Sequence, residues 1–267
     1  MSAAPEAGPV ALVGCGRLGS AIVEGWLKTG AVAAADLIIL TPSEKPVAEV
    51  ARAQGARVNP PQGLAGARTV VLAVKPAKWR EALTPLATSL GPDVQVVSVM
   101  AGVGAADIAA VSGRPVARIM PTTAVAQAQG VAALWSEDAG ARETARGLFS
   151  AMAEVVDLDT EAHIDIATAT AGSAPAFIHA FVQALARAGE AEGLDLEAAT
   201  RLARGALRSA GAGLDTGEDL DTLIGRVASP GGTTRAGLEA MAASGDLDRA
   251  AEAAVRAAVA RARALSL

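Results

Sequence analysis

Near the start of the chain, Gly14-Cys15-Gly16-Arg17-Leu18-Gly19 sets glycines at the spacing that lets a main chain wrap a pyrophosphate. The segment follows the apolar run Pro9 to Val13 and opens a helical stretch that ends near Gly30. In that context Gly14 permits a tight turn, Gly16 lets a phosphate approach the backbone, and Gly19 lets helix and strand pack closely. The amides of Cys15, Arg17 and Leu18 then face the phosphates from a helix N-terminus, which makes the turn a dinucleotide site. The plainer alternative is an ordinary glycine turn in the same kind of fold. Cys15 contributes only a small side chain there.

A dinucleotide without a 2′-phosphate calls for Asp or Glu at the end of the second strand. This chain instead reads Ile39-Leu40-Thr41-Pro42-Ser43, with Lys45 just beyond. Hydroxyls at Thr41 and Ser43 with a nearby lysine suit a phosphate, so NADPH is favoured over NADH. Ser43 equally suits the cap of the next helix. In open α/β sheets the ligand lies beyond the carboxyl ends of the strands, and three such ends stand out: Ala73-Val74-Lys75-Pro76, Ala101-Gly102 and Met120-Pro121-Thr122-Thr123. Their small residues let a nicotinamide ring approach the backbone. Lys75 offers a charge to substrate or cofactor, or else is simply solvated.

Late in the chain, Val227-Ala228-Ser229-Pro230-Gly231-Gly232-Thr233-Thr234-Arg235-Ala236-Gly237-Leu238 places a glycine pair and two hydroxyl residues before a helix. Backbone donors so arranged form a nest for a carboxylate. Alone, the same residues also fit a well-capped helix start.

These segments need elements to position them. β-branched runs at Val10 to Val13, Leu37 to Leu40, Thr69 to Val74, Gln95 to Val99 and Val116 to Met120 read as strands, with shorter ones near Val131 to Leu134 and Val155 to Leu158. Leu18 to Lys28, Glu44 to Gln54 and Trp79 to Leu90 read as intervening helices, the pattern of βαβ units around a parallel sheet. After Asp159 and Thr160 strand signals stop. Helices are expected over His163 to Glu192, Leu196 to Leu214, Leu220 to Val227, Thr233 to Ala243 and Leu247 to Leu265. The fold class is therefore α/β: a Rossmann-type doubly wound sheet over 1–160, then an all-helical domain over 161–267.

Composition excludes several functions. The net charge is −5 with scattered arginines, so nucleic acid is not expected as a partner. Tyrosine is absent, which removes a tyrosine general acid. One cysteine permits no internal disulfide and fits a reducing cytoplasm. Met1 to Gly8 shows neither the basic nor the apolar region of a secretion signal. Ile166 to Ala186 carries no Asp, Glu, Lys or Arg, but its Thr, Gly, Pro, His and Gln residues suit a membrane poorly. It reads as a helix buried in a domain core or a subunit interface. The only histidines, His163 and His179, fall in helical context without metal-ligand spacing, so no metal is expected.

The sequence closely resembles the pyrroline-5-carboxylate reductase family. The likeness runs through the glycine turn, Ala73 to Pro76, Ser98 to Val103, Arg118 to Pro121, Gly172 to Phe177 and Val227 to Leu238, the last being the most specific. The resemblance implies an N-terminal domain that binds NAD(P)H and a helical domain that dimerises, the dimers assembling further into a decamer. It implies that Ser229, Gly231 and Gly232, with Thr233 beside them, hold the substrate carboxylate, that Thr234 hydrogen-bonds the ring nitrogen, and that hydride reaches the imine carbon to give L-proline. The chain departs from the family at Thr122-Thr123-Ala124, where Asn-Thr-Pro is usual. It departs again at Ala171 and Ala174, within a segment that usually reads Ser-Gly-Ser-Gly-Pro-Ala-Tyr. A reductase of another cyclic imine or of a small β-hydroxy acid, and a nucleotide sensor without turnover, share the same motifs.

Overall fold

The computed structural model describes residues 8–214 and 216–264. Eight strands, β1 (Val10–Val13), β2 (Leu37–Leu40), β3 (Arg57–Val58), β4 (Thr69–Leu72), β5 (Gln95–Ser98), β6 (Val116–Pro121), β7 (Gly130–Trp135) and β8 (Ala153–Asp157), form one sheet in the order β3-β2-β1-β4-β5-β6-β7-β8. All neighbours pair in parallel except β6 with β7. Strand order reverses at β1, whose Val10 pairs with Leu37 on one side and Thr69 on the other. The crevice for a ligand therefore opens beyond the carboxyl ends of β1 and β4.

The strands are near-continuous apolar runs because helices cover both faces of the sheet. Those helices are α1 (Arg17–Thr29), α2 (Pro46–Ala53), α3 (Trp79–Ala87), α4 (Ala105–Ser112) and α5 (Ala139–Phe149). Every residue of β1 and β4 is buried. One core layer centres on Trp26 of α1 and Phe149 of α5, the other on Trp79 and Leu83 of α3. Trp26 is fully buried, meets Phe149 edge-on with ring centroids 6.3 Å apart, and donates its indole N–H to the Leu148 carbonyl at 2.8 Å.

The helical part comprises α6 (His163–Ala167), a π-helical turn at Thr168–Ser173, α7 (Ala174–Ala191), α8 (Leu196–Leu214), α9 (Leu220–Val227), α10 (Thr233–Ser244) and α11 (Asp246–Ala264). The expected single helix over His163 to Glu192 is thus broken. Pro175 lacks an N–H and cannot continue the preceding ladder, and the Thr168 hydroxyl donates back to the Ile164 carbonyl at 2.7 Å. The expected end of the last helix at Leu265 lies outside the described residues.

Two compact units result. One runs to Gly172 and takes in the chain from Ala258 onward; the other is Ser173–Ala257. The first unit passes the boundary near residue 160 because Ile164 of α6 packs with Met120 and Ala133 of the sheet. In the second unit α7 and α8 meet through small residues, with Ala186, Ala199 and Ala203 buried. The charge-free stretch is not enclosed in a domain core, since Ile178, Phe181 and Leu185 are 47%, 47% and 46% exposed. These side chains form an exposed apolar face on α7. Among the described residues no helix is long and apolar enough to cross a membrane.

Trp26→Phe keeps most of the buried volume but strands the Leu148 carbonyl. It is expected to lower unfolding free energy by about 1–3 kcal/mol in urea titration.

Candidate functional site

The glycine turn connects β1 to α1, and its geometry accounts for each glycine separately. Gly14 has φ +96°, and a Cβ there would stand 2.8 Å from the Ala73 carbonyl oxygen at the end of β4. A Cβ on Gly19 would stand 2.3 Å from the Gly14 carbonyl oxygen, so α1 starts in direct contact with the turn. Gly16 faces open space, with nothing within 4 Å of a Cβ built on it. A side chain at Gly16 would thus fill the cradle that a phosphate needs, while leaving the protein's own packing untouched. Gly16 is also the N-cap of α1, and no side chain caps that helix. Its first amides are available to an anion. Arg17 is exposed and Leu18 half-buried at the first turn.

Cys15 is 2% exposed, with its Sγ 3.5 Å from the Ser20 hydroxyl oxygen. Burial pushes its thiol up, outweighing Ser20 and Lys45, which pull it down. The thiol is therefore protonated and inert near neutral pH.

Beside the turn lies a groove of about 580 Å³ running from Gly14 across the end of β2 to α3. Thr41 and Val74 line it with Gly14, as the sequence suggests, and so do Asn59, Lys78 and Glu81, which sequence reading did not single out. Asn59 has φ +49° and clamps Thr41 twice, accepting its amide at 2.9 Å and donating to its carbonyl at 2.9 Å. The Thr41 hydroxyl donates to the Ser43 carbonyl at 3.0 Å. Its proton is engaged in shaping the loop; Lys78 lines the groove, while Ser43 is exposed and Lys45 half-buried just beyond Thr41. No acidic residue occupies the end of β2. The groove, the open cradle and the unsatisfied amides together fit a dinucleotide.

The three distinctive strand ends all sit on the carboxyl edge of the sheet. Lys75 is exposed, and Pro76 begins a short 3₁₀ turn ahead of α3. Gly102 has φ +70°, and Ala101 packs beside Met120 and Ile164. Met120 and Pro121 are buried at the end of β6, and the Thr122 hydroxyl accepts the Val131 amide at 3.3 Å.

In the second unit, Ala228 ends α9 and Gly232 is the N-cap of α10, again with no side-chain cap. Gly231 has φ +71°, and the Gly232 amide donates to the Ser229 carbonyl at 3.1 Å. A Cβ on Gly232 would stand 2.7 Å from the Ser229 hydroxyl oxygen, so a larger residue there would turn that hydroxyl away from its present position. Arg235 braces the loop by donating to the Ala228 carbonyl at 3.3 Å. Ser229, Gly231 and Thr233 are exposed and Thr234 half-buried, with the first amides of α10 presented beside them. This arrangement has the form of an anion nest with a hydroxyl at its rim.

Comparison with known proteins agrees with both halves. The family described as "Pyrroline-5-carboxylate reductase dimerisation" matches residues 161–265, and "NADP oxidoreductase coenzyme F420-dependent" matches residues 9–102. The chain is 35% identical to a pyrroline-5-carboxylate reductase of Pseudomonas aeruginosa, covering 88% of this chain and 89% of that one. It is 30% identical to the Escherichia coli pyrroline-5-carboxylate reductase, covering 84% and 86%. The solved structure of a pyrroline-5-carboxylate reductase from Coxiella burnetii superposes with a TM-score of 0.88 at 27% identity, covering 98% of this chain and 99% of that one. A Plasmodium falciparum pyrroline carboxylate reductase with NADP bound shares the fold, with a TM-score of 0.80 at 21% identity over 98% and 99% of the two chains.

The glycines separate packing from binding. Gly19→Ala is expected to destabilise the fold by about 1–3 kcal/mol through overpacking. Gly16→Ala is expected to leave the melting temperature unchanged while weakening dinucleotide binding at least about tenfold. Thermal melts and nucleotide titration of both variants check this.

Proposed function

This chain belongs to the pyrroline-5-carboxylate reductase family, and from that premise we infer that it is an oxidoreductase reducing the C=N bond of 1-pyrroline-5-carboxylate to L-proline. A nicotinamide dinucleotide, when bound, supplies the hydride. The protein supplies orientation and electrostatics. Gly14 to Gly19 hold the pyrophosphate, the first amides of α1 answering its charge, while the small strand ends at Ala73 to Pro76, Ala101, Gly102, Met120 and Pro121 admit the ring.

The observation that carries the substrate half is the uncapped start of α10. Ser229, Gly231 and Thr233 present backbone and hydroxyl donors to a carboxylate, Gly232 shapes the turn with its amide on the Ser229 carbonyl, and the Thr234 hydroxyl hydrogen-bonds the ring nitrogen. Anchoring the carboxylate fixes which face of the flat imine is presented. The nitrogen takes up a proton as its carbon receives the hydride, so the product is a secondary amine. Lys75, exposed at the end of β4, adds positive charge near the reacting groups.

NADPH is the preferred donor, supported by the lack of a carboxylate at the end of β2 and by Ser43 and Lys45 beside it. The working protein is at least a dimer, and the decamer is its further assembly. Supporting this, the family matched at residues 161–265 is described by dimerisation, and Ile178, Phe181 and Leu185 form an apolar surface on α7. Residues 161–267 serve as the substrate-binding and dimerisation domain. The cytoplasm is the compartment, consistent with the single buried Cys15.

Purified protein is expected to oxidise NADPH when given pyrroline-5-carboxylate, with higher kcat/KM than for NADH. Nucleotide binding without turnover on this imine would falsify the assignment, and turnover confined to a six-membered imine would reassign the substrate. Thr234→Val, which keeps shape but removes the hydroxyl, is expected to cost about 1–3 kcal/mol in kcat/KM. Unchanged kinetics would remove Thr234 from the reaction.

A further inference from the structure

The loop between β5 and α4 is tied at both ends to one ion pair that the reaction scheme does not use. Arg118 on β6 has a side chain only 5% exposed and donates through Nη1 to the Glu161 carboxylate at 3.0 Å. Its Nη2 donates to the Met100 carbonyl at 3.3 Å, at the start of the loop. The same Glu161 oxygen accepts the Ala105 amide at 2.6 Å, at the loop's other end and the first turn of α4. Gly104, the N-cap of α4, has no side chain with which to cap that helix. Glu161 therefore supplies the missing cap from the segment that follows β8.

Between the two anchors lie Ala101, Gly102, Val103 and Gly104. Gly102 has φ +70°, a conformation that needs outside support to persist as one geometry. In a doubly wound sheet the dinucleotide spans the reversal point, and its adenosine side is the groove between β2 and α3. The ends of β4, β5 and β6 then receive the nicotinamide side, and this loop is the end of β5.

We propose that Arg118 and Glu161 are positioning residues that hold the Met100–Ala105 loop in the one geometry that sets the nicotinamide ring for hydride transfer. The inference rests on the functional reading above. It goes further in assigning control of ring placement to a pair more than one loop away from the pyrophosphate turn. Neither side chain touches substrate or cofactor in this scheme. Removing the pair should therefore leave nucleotide affinity, which the glycine turn and the groove provide, largely intact. Ring placement should suffer instead.

The test uses the full-length protein and three readouts on Glu161→Ala and Glu161→Gln: NADPH affinity, the emission of bound NADPH, and steady-state turnover of pyrroline-5-carboxylate with NADPH or with NADPH deuterated at the transferred position. Glu161→Ala is expected to lower kcat about tenfold and raise the deuterium isotope effect, while NADPH affinity stays within about twofold of wild type and the bound emission changes. Glu161→Gln, which keeps an acceptor for Ala105 but loses the charge facing Arg118, is expected to fall between. An isotope effect and emission equal to wild type would overturn the proposal. So would parallel losses of affinity, thermal stability and kcat with no change in isotope effect, the mark of a purely structural pair. Should Glu161→Ala fail to fold, Glu161→Gln decides by the same readouts. Absence of turnover in the wild-type protein would sink the functional reading instead; the emission of bound NADPH in Glu161→Gln against wild type then decides the positioning claim alone.

Discussion

The first unit depends on one close approach, that of α1 to the carboxyl end of β1. A Cβ on Gly19 would stand 2.3 Å from the Gly14 carbonyl oxygen, so helix and strand can only meet there as bare backbone. That contact aims the first amides of α1 at the crevice where the strand order reverses. It also fixes the direction in which α1 leaves the turn, and so where Trp26 enters the core to meet Phe149 and the Leu148 carbonyl. Binding and folding share the same few atoms. They separate only at Gly16, where the space a side chain would take is empty and a ligand can enter.

The second unit solves a different problem with similar means. Its turn from α9 into α10 is closed by backbone, Gly231 taking a positive φ and Gly232 leaving room for the Ser229 hydroxyl. The result is again a helix start whose amides are left for an anion. The unit's own core is thin, built of alanines between α7 and α8, while large apolar side chains stay exposed along α7. An exposed apolar face of this kind is the surface that association covers.

Much of this was legible in the residues. Continuous apolar runs marked the buried parallel strands, and the ranges of α8 and α9 match the expected helices residue for residue. For α9 the reason is local: Asp219 caps it by accepting the Thr222 amide at 2.8 Å. What escaped was either too short or too distant. The strand β3 has two residues, and α4 has eight with no side-chain cap of its own. The helix α5 carried a readable signal in Asp138, whose carboxylate accepts the Ala141 amide at 2.7 Å, ahead of Ala141, Ala145 and Leu148 at helical spacing. The break at Pro175 was likewise open to local reading. The bond from Ala105 to Glu161 was not, since 56 residues separate its partners. Asn59 was missed because its role lies in clamping Thr41 across the end of the sheet. Roles such as those of Ser229 and Thr234 came from the family resemblance, because a glycine pair before a helix fits a plain cap as well as a nest.

The central claim is that this chain moves a hydride from a reduced nicotinamide to an imine carbon beside an anchored carboxylate. It is tested most directly by following the label. The protein is incubated with pyrroline-5-carboxylate and NADPH stereospecifically deuterated at C4, on each face in turn, and the product is read by mass spectrometry and NMR. The account predicts L-proline carrying one deuterium on the former imine carbon from one face of the dinucleotide and none from the other. Labelled nucleotide recovered unchanged with no proline formed, or proline labelled at any other carbon, would contradict it.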